Sequence, residues 1–350
     1  MQRLKTLQEH LNKWLLLYTS MGMLLGLLAG YPNAGWTETH QPLVGNLTTL
    51  AVFFVIYPMM VNLRMEALLK AGKNIRGLSL TVLYNFVWAP LIGVALAAIF
   101  LSDPLLALGF LLVMVVPCSS MSIAYTGLAE GDIELATVAV ALSFVLAVFA
   151  VPIWMMFFAS HYAVAVPLRD MLMSILTVLI APMVLGYLTR RVLVRGLGGR
   201  KFQELQPLFP ALSLMGLYVL ILLIFLAKAT VIVDKRQLVL ILLIPNALFV
   251  ALTLIAVTWL NRRLHLSYGE HMAVVFASTG KNNGTAIAIA ATAFSPLVAV
   301  PAATMPIFQI LFLVLYLKAA HRIRRYFKET HLHGGHVPAD VQNTDGGLVK

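Results

Sequence analysis

Cys118 is the only cysteine in the 350 residues, and it stands in the run Val115-Val116-Pro117-Cys118-Ser119-Ser120-Met121-Ser122. A thiolate is the soft ligand and the strong nucleophile among side chains. The chemistry on offer is therefore a bond to a thiophilic solute, with the hydroxyls of Ser119, Ser120 and Ser122 as hydrogen-bonding neighbours. A second polar run reads Ala277-Ser278-Thr279-Gly280-Lys281-Asn282-Asn283-Gly284-Thr285. Here Lys281 supplies a positive charge that could attract an anion or serve as a coupling charge. Asn282, Asn283 and Thr285 could hold a small polar solute. Catalysis is the poorer account, because no general base stands near the thiol and neither His-Glu-x-x-His nor Gly-x-Ser-x-Gly occurs. The glycines at 196–199 lack the Lys-Ser/Thr ending of a phosphate-cradling loop. No catalytic set, metal site or cofactor is expected.

Both runs are set in apolar sequence. Hydrophobic residues make up 60% of the chain and charged residues 11%, and the mean hydropathy is +0.89. A soluble chain carries about 25% charged residues. This composition excludes a disordered chain, a collagen-like chain and almost any soluble enzyme. The apolar runs are long and continuous rather than alternating, which excludes a β-barrel. They divide into ten candidate spans at residues 14–31, 43–63, 78–101, 104–128, 133–158, 172–188, 209–228, 238–260, 270–294 and 298–319. A helical span needs about 20 such residues. The expected fold is an all-α polytopic membrane protein.

The two polar runs interrupt the fourth and the ninth of these spans. Pro117 removes a backbone donor, and Gly280 and Gly284 weaken the helix around Lys281. A proline kink capped by serines is common in membrane helices, and a lone cysteine is often a small buried hydrophobe. A lysine at the centre of a span is another matter, since it costs at least ~2.5–3.5 kcal/mol. Unwound backbone at membrane depth is tolerated where it is buried in protein or lines a cavity. Two interruptions at matching places, Pro117 in one half and Gly280 to Gly284 in the other, point to a transport site. Cys118, directly after Pro117, is expected to face a cavity. Glu66, Glu134 and Glu270 lie towards span ends, so Lys281 is expected to be held by Asn282, Asn283 and carbonyls of the broken helices.

An odd number of spans per half inverts the second half relative to the first. The expected organisation is a cytoplasmic segment at 1–13, a five-span repeat at 14–158, an outer loop at 159–171, and a second, inverted five-span repeat at 172–320. A cytoplasmic loop at 189–208 lies within the second repeat, and a flexible cytoplasmic tail covers 321–350. The formal net charge is +11. With both termini inside, 20 of the 25 Lys and Arg residues fall on the cytoplasmic side and 4 outside, with Lys281 within a span. This bias reads as membrane topology against anionic lipid, not as nucleic-acid binding. His331, His333 and His336 could bind a divalent metal, but a plain tail is the better account of them. Asn46-Leu47-Thr48 matches a glycosylation triplet by chance, and no cleavable signal sequence is visible.

Several stretches resemble one known family. Tyr57-Pro58-Met59-Met60-Val61-Asn62-Leu63-Arg64-Met65-Glu66 resembles the second-span motif of the yeast-type arsenite permeases, and Asn85 with Trp88-Ala89-Pro90 resembles their third span. Pro117-Cys118-Ser119-Ser120-Met121, with Gly131-Asp132 and Val140-Ala141-Leu142 behind it, resembles their fourth-span cysteine signature. The wider group is the bile acid:sodium symporter superfamily. The resemblance covers about residues 14–320 and is strongest between about 50 and 145. It implies ten spans in two inverted five-helix repeats, with broken fourth and ninth helices that cross. It also implies a secondary carrier in which Cys118 is needed for metalloid efflux driven by proton exchange. The chain departs from the pattern where Gly284-Thr285 follows Asn282-Asn283, since the arsenite branch carries a glutamate there. The sodium-coupled branch has a glutamate near Ser278 and an asparagine ligand near Ile123, and both are missing. The loss of two oxygen ligands argues against a sodium site.

The expected function is secondary active transport of a small solute, in the plasma membrane of a bacterial-type cell. Arsenite or a related metalloid is the first choice because of Cys118. A small organic anion, drawn by Lys281, is the second. A membrane-embedded cysteine enzyme and a channel are remote alternatives. The partners are the solute and membrane lipid.

Overall fold

The computed structural model describes residues 2–64, 66–67, 74–162, 168–234 and 236–333. His336 and the remainder of the tail lie outside the described residues. The described chain is helical, without named strands. In order, the helices are α1 (Gln2–Lys13), α2 (Leu15–Gly30), α3 (Ala34–Thr39), α4 (Gln41–Asn62), α5 (Ile75–Leu83), α6 (Ala89–Phe100), α7 (Pro104–Val115), α8 (Met121–Leu128) and α9 (Ile133–His161). They continue as α10 (Leu168–Ile175), α11 (Ala181–Leu205), α12 (Leu208–Ala227), α13 (Ala229–Asp234), α14 (Arg236–Arg263), α15 (Tyr268–Thr279), α16 (Asn283–Ala293), α17 (Val300–Lys318) and α18 (Ala320–His333). Short π-helical turns, Tyr84–Trp88 and Leu176–Ile180, join α5 to α6 and α10 to α11.

Among the described residues, seven helices are long and apolar enough to cross a membrane, and the pair α1–α2, bent by 67°, makes an eighth. Large apolar side chains such as Leu28, Ile99, Phe149, Ile153 and Ile255 are exposed on the perimeter. In water such a surface would aggregate; in lipid it is the outer wall. The protein is an integral membrane protein.

The helices pack as two groups. In the first, α12 lies against α4 and α2, and α11 lies against α4. Gly26 and Gly30 let α2 approach closely, since a Cβ at either would stand 2.6 Å and 2.4 Å from the carbonyls of Leu222 and Leu226. In the second group, α7, α9, α14, α15, α16 and α17 pack together with α6 and α8. There α7, α15 and α16 are buried on nearly every face, and this is why their sequences show no amphipathic stripe. The two groups meet mainly where α16 lies along α4 and α10.

Helix starts follow from side-chain caps. Asp103 accepts from the amides of Leu105 and Leu106 ahead of α7, Asp132 from Leu135 ahead of α9, and Ser267 with Glu270 forms a capping box on α15. Two expected irregular segments are ordered instead. Residues 189–197 continue α11, which kinks at Gly198 (φ 80°, ψ 154°) into a second helical stretch that reaches Leu205. Residues 320–333, expected as tail, form α18, held by Ile323 and Phe327 against the bundle.

Candidate functional site

The interruptions read from the sequence are real helix breaks. One separates α7 from α8 over residues 116–120, and the other separates α15 from α16 over residues 280–282. Their main chains pair as a short antiparallel bridge between Cys118 and Lys281. The Ser119 N–H donates to the Gly280 carbonyl at 2.7 Å, and the Asn282 N–H donates to the Pro117 carbonyl at 3.0 Å. Each break thus supplies the hydrogen bonds that the other lost. Gly280 is required by the closeness of the crossing, since a Cβ there would stand 2.6 Å from Ser122 Oγ and 2.8 Å from the Phe276 carbonyl. Two helix C-termini (α7 and α15) and two N-termini (α8 and α16) converge here, with opposite partial charges.

Lys281 is 1% exposed. Its Nζ donates to Asn85 Oδ1 at 2.9 Å and to the Asn85 carbonyl at 3.2 Å. The backbone acceptor is free for a reason visible in the chain. In the π turn the Ala89 N–H bonds to the Tyr84 carbonyl, and the next residue, Pro90, has no N–H to give. The Asn85 amide is oriented in turn by donating to the carbonyls of Thr81 and Ala277 at 3.0 and 3.1 Å. The Lys281 main chain is held by Gln309, which accepts from its N–H and donates to its carbonyl, each at 3.1 Å. The expectation that Asn282 and Asn283 hold the lysine is therefore corrected. Asn282 caps α16 by accepting from the Thr285 N–H at 3.1 Å, and Asn283 donates to Gln309 at 3.4 Å. Two of the acids considered are used elsewhere: Glu66 faces Arg190 at 3.7 Å, and Glu270 takes Ser267 and Asn74.

Cys118 is fully buried, which corrects the expectation that it faces a cavity. Its Sγ lies 3.0 Å from Ser143 Oγ, and its N–H donates to the same oxygen at 3.2 Å. Ser122 Oγ donates to the Phe276 carbonyl at 2.9 Å. Ser119 and Ser120 are half-buried in the turn before α8. Thr279 Oγ1, Asn283 Oδ1 and Thr285 Oγ1 are buried polar atoms without a hydrogen-bond partner, and all three flank the second break. Gly284 brings α16 against α4, where a Cβ would stand 2.8 Å from Val55 Cγ1. The breaks thus join the two sequence runs through the main chains of Pro117, Cys118 and Ser119 on one side and Gly280, Lys281 and Asn282 on the other. Asn85, Ser143, Thr279 and Gln309 complete the site. Ser143 and Gln309 had no signal in the sequence beyond a polar side chain inside an apolar run, whereas Asn85 stood in the third-span resemblance and Thr279 in the second polar run.

A cavity of about 460 Å³ lies at the opposite end of α16, between α3, α4 and α12. Glu38, Gln41, Thr48, Lys228 and Thr292 are among its lining residues, and neither Cys118 nor Lys281 is.

Crossed, broken helices inside an apolar bundle, with backbone satisfied between them, are the architecture of a carrier rather than of an enzyme. The profile of the Sodium Bile acid symporter family matches residues 49–235, and the chain belongs to that family. It is a transmembrane transporter. Among similar proteins is the Arsenical-resistance protein Acr3 of Alkaliphilus metalliredigens, 24% identical over 251 residues, which are 68% of this chain and 70% of that protein. The Arsenical-resistance protein Acr3 of Corynebacterium glutamicum is 26% identical over 312 residues, 83% of this chain and 82% of its own length.

Proposed function

We propose that this chain is a secondary carrier that extrudes arsenite or a related metalloid. The observation that carries the reading is the single thiol, Cys118, paired through its main chain with Lys281 where two helix breaks cross. Cys118 is the soft ligand. Ser119, Ser120, Ser122, Asn282, Asn283 and Thr285 are the polar lining, and the unpartnered oxygens of Thr279, Asn283 and Thr285 are free to accept from a hydroxylated solute. Pro117 and Gly280 keep the helices broken, whereas Gly284, expected as a break, lies within α16 and serves its close approach to α4. The Acr3 relatives support the metalloid, since they are arsenical-resistance proteins.

The seven long helices and the bent α1–α2 pair, with α7–α8 and α15–α16 each counted as one broken span, give ten spans in two inverted sets of five. On that count the charge bias puts both termini in the cytoplasm, and the cavity beside α3 opens outward. Lys281 is the coupling charge, with protons rather than sodium as the driving ion. A small organic anion is the second reading, because the described hydrogen bonds of the buried ammonium all go to neutral groups and leave its charge unbalanced.

The test is arsenite tolerance and cell arsenic in an arsenite-sensitive bacterial strain. Expression of the chain should raise tolerance and lower cell arsenic, and Cys118→Ser should abolish both at equal protein level. A well-expressed protein that confers no protection would overturn the metalloid reading, and uptake of labelled carboxylates would then be measured.

A further inference from the structure

α17 ends in a lipid-facing side and α18 continues it with charge. Leu311 and Leu315 are exposed on α17, and Lys318, His321, Arg322 and Arg325 are exposed after them at three- and four-residue spacing. α18 carries Arg322, Arg324, Arg325 and Lys328 against a single acid, Glu329. The opposite side of α18 is fixed to the bundle. Phe327 is 2% exposed and stacks on the buried His271 ring with centroids 4.3 Å apart. Arg324 bonds Glu130 at 2.6 Å and lies over the Tyr268 ring at 4.5 Å, while Arg262 lies over Tyr326 at 3.5 Å. The helix therefore cannot roll to bury its basic stripe. Trp259, exposed on the neighbouring α14 with Arg263 5.2 Å from its ring, adds the kind of aromatic that settles at the headgroup level.

We propose that this stripe docks on anionic phospholipid headgroups. The occupant is a lipid because the stripe prolongs an apolar face already turned to the hydrocarbon, so its cations sit at the depth where phosphates lie. Its charge is net positive, and the attraction falls off within a Debye length. The contacts on the other side of α18 reach α15 through His271 and Tyr268 and the loop after α8 through Glu130. Docked lipid thereby braces one end of both broken pairs.

The test uses the full chain in nanodiscs of phosphatidylcholine, with or without phosphatidylglycerol, and reads the melting temperature, which does not depend on any transported solute. Phosphatidylglycerol should raise it, and high salt should reduce the rise. The triple variant Lys318→Gln/Arg322→Gln/Arg325→Gln should melt like the parent in phosphatidylcholine and lose more than half of the rise. Arg191→Gln/Arg195→Gln/Arg200→Gln, which removes as many exposed charges from α11, should keep it. Equal rises in parent and α18 variant, equal losses in the two variants, or the same rise from soluble glycerol phosphate would each overturn the proposal.

Discussion

A buried ammonium held, among the described residues, by amide oxygens is the residue-scale feature on which the site turns. Lys281 owes its place to Asn85, and Asn85 owes its free carbonyl to the π turn and to Pro90. Removing the side-chain acceptor while leaving the charge should be costly, and removing both should not be. Asn85→Leu is expected to destabilise the protein by about 3 kcal/mol, as for the loss of hydrogen bonds to a charged group. Asn85→Leu/Lys281→Met should recover most of that, because the uncompensated charge is gone. Melting in detergent checks both, and a double variant no more stable than Asn85→Leu would show that the pair is not the cause. Cys118 and Lys281 were legible in the sequence because their types are rare in apolar runs. The role of Asn85 was not. It depends on which amide a helix turn leaves unpaired, and on a contact across 196 residues.

At the scale of elements, the breaks were the most legible part of the fold. Proline and glycine interrupt helices for local reasons, and Pro117 and Gly280 do so where the chain alone said they would. What joins the breaks is not local. The bridge between them needs main chains close enough to exchange amides, and only a residue without a side chain fits at Gly280. Gly280→Ala should cost about 1–3 kcal/mol, as overpacking does, because Ser122 and the Phe276 carbonyl cannot both withdraw. Gly199→Ala, which would meet nothing within 4 Å, should leave the melting temperature unchanged. Glycine content also misled in the other direction. The stretch after Thr189 has the composition of a loop, yet it is helical on both sides of a single kink, at Gly198, the one glycine there that takes φ 80°.

At the scale of the molecule, two helix groups meet along α4 and α16, and this seam runs from the crossing towards the cavity by Thr48 and Thr292. Gly284 keeps the seam tight against Val55, a neighbour whose side chain can be shortened. Gly284→Ala should therefore impair transport, and Val55→Ala added to it should restore a large part of the rate at equal expression. No rescue would mean that Gly284 acts within α16 and not across the seam. The long apolar spans were readable from hydropathy, and among the described residues seven helices and one bent pair are long and apolar enough to be them. Their division into two groups was not, because it depends on which helices lie side by side.

The crossing also bears on how the chain is made. The partners in the Cys118–Lys281 bridge are separated by roughly 160 residues. At a synthesis rate of about 5–20 residues per second, the first break leaves the ribosome on the order of ten seconds or more before its partner exists. Through that interval the Ser119 amide and the Pro117 carbonyl must be satisfied by water or lipid headgroups near the insertion machinery. The second half of the protein therefore completes the first half's secondary structure. A nascent chain stopped before Lys281 would hold an unsealed span, open to water and to proteolysis, and the fold closes it only once the second break has been made.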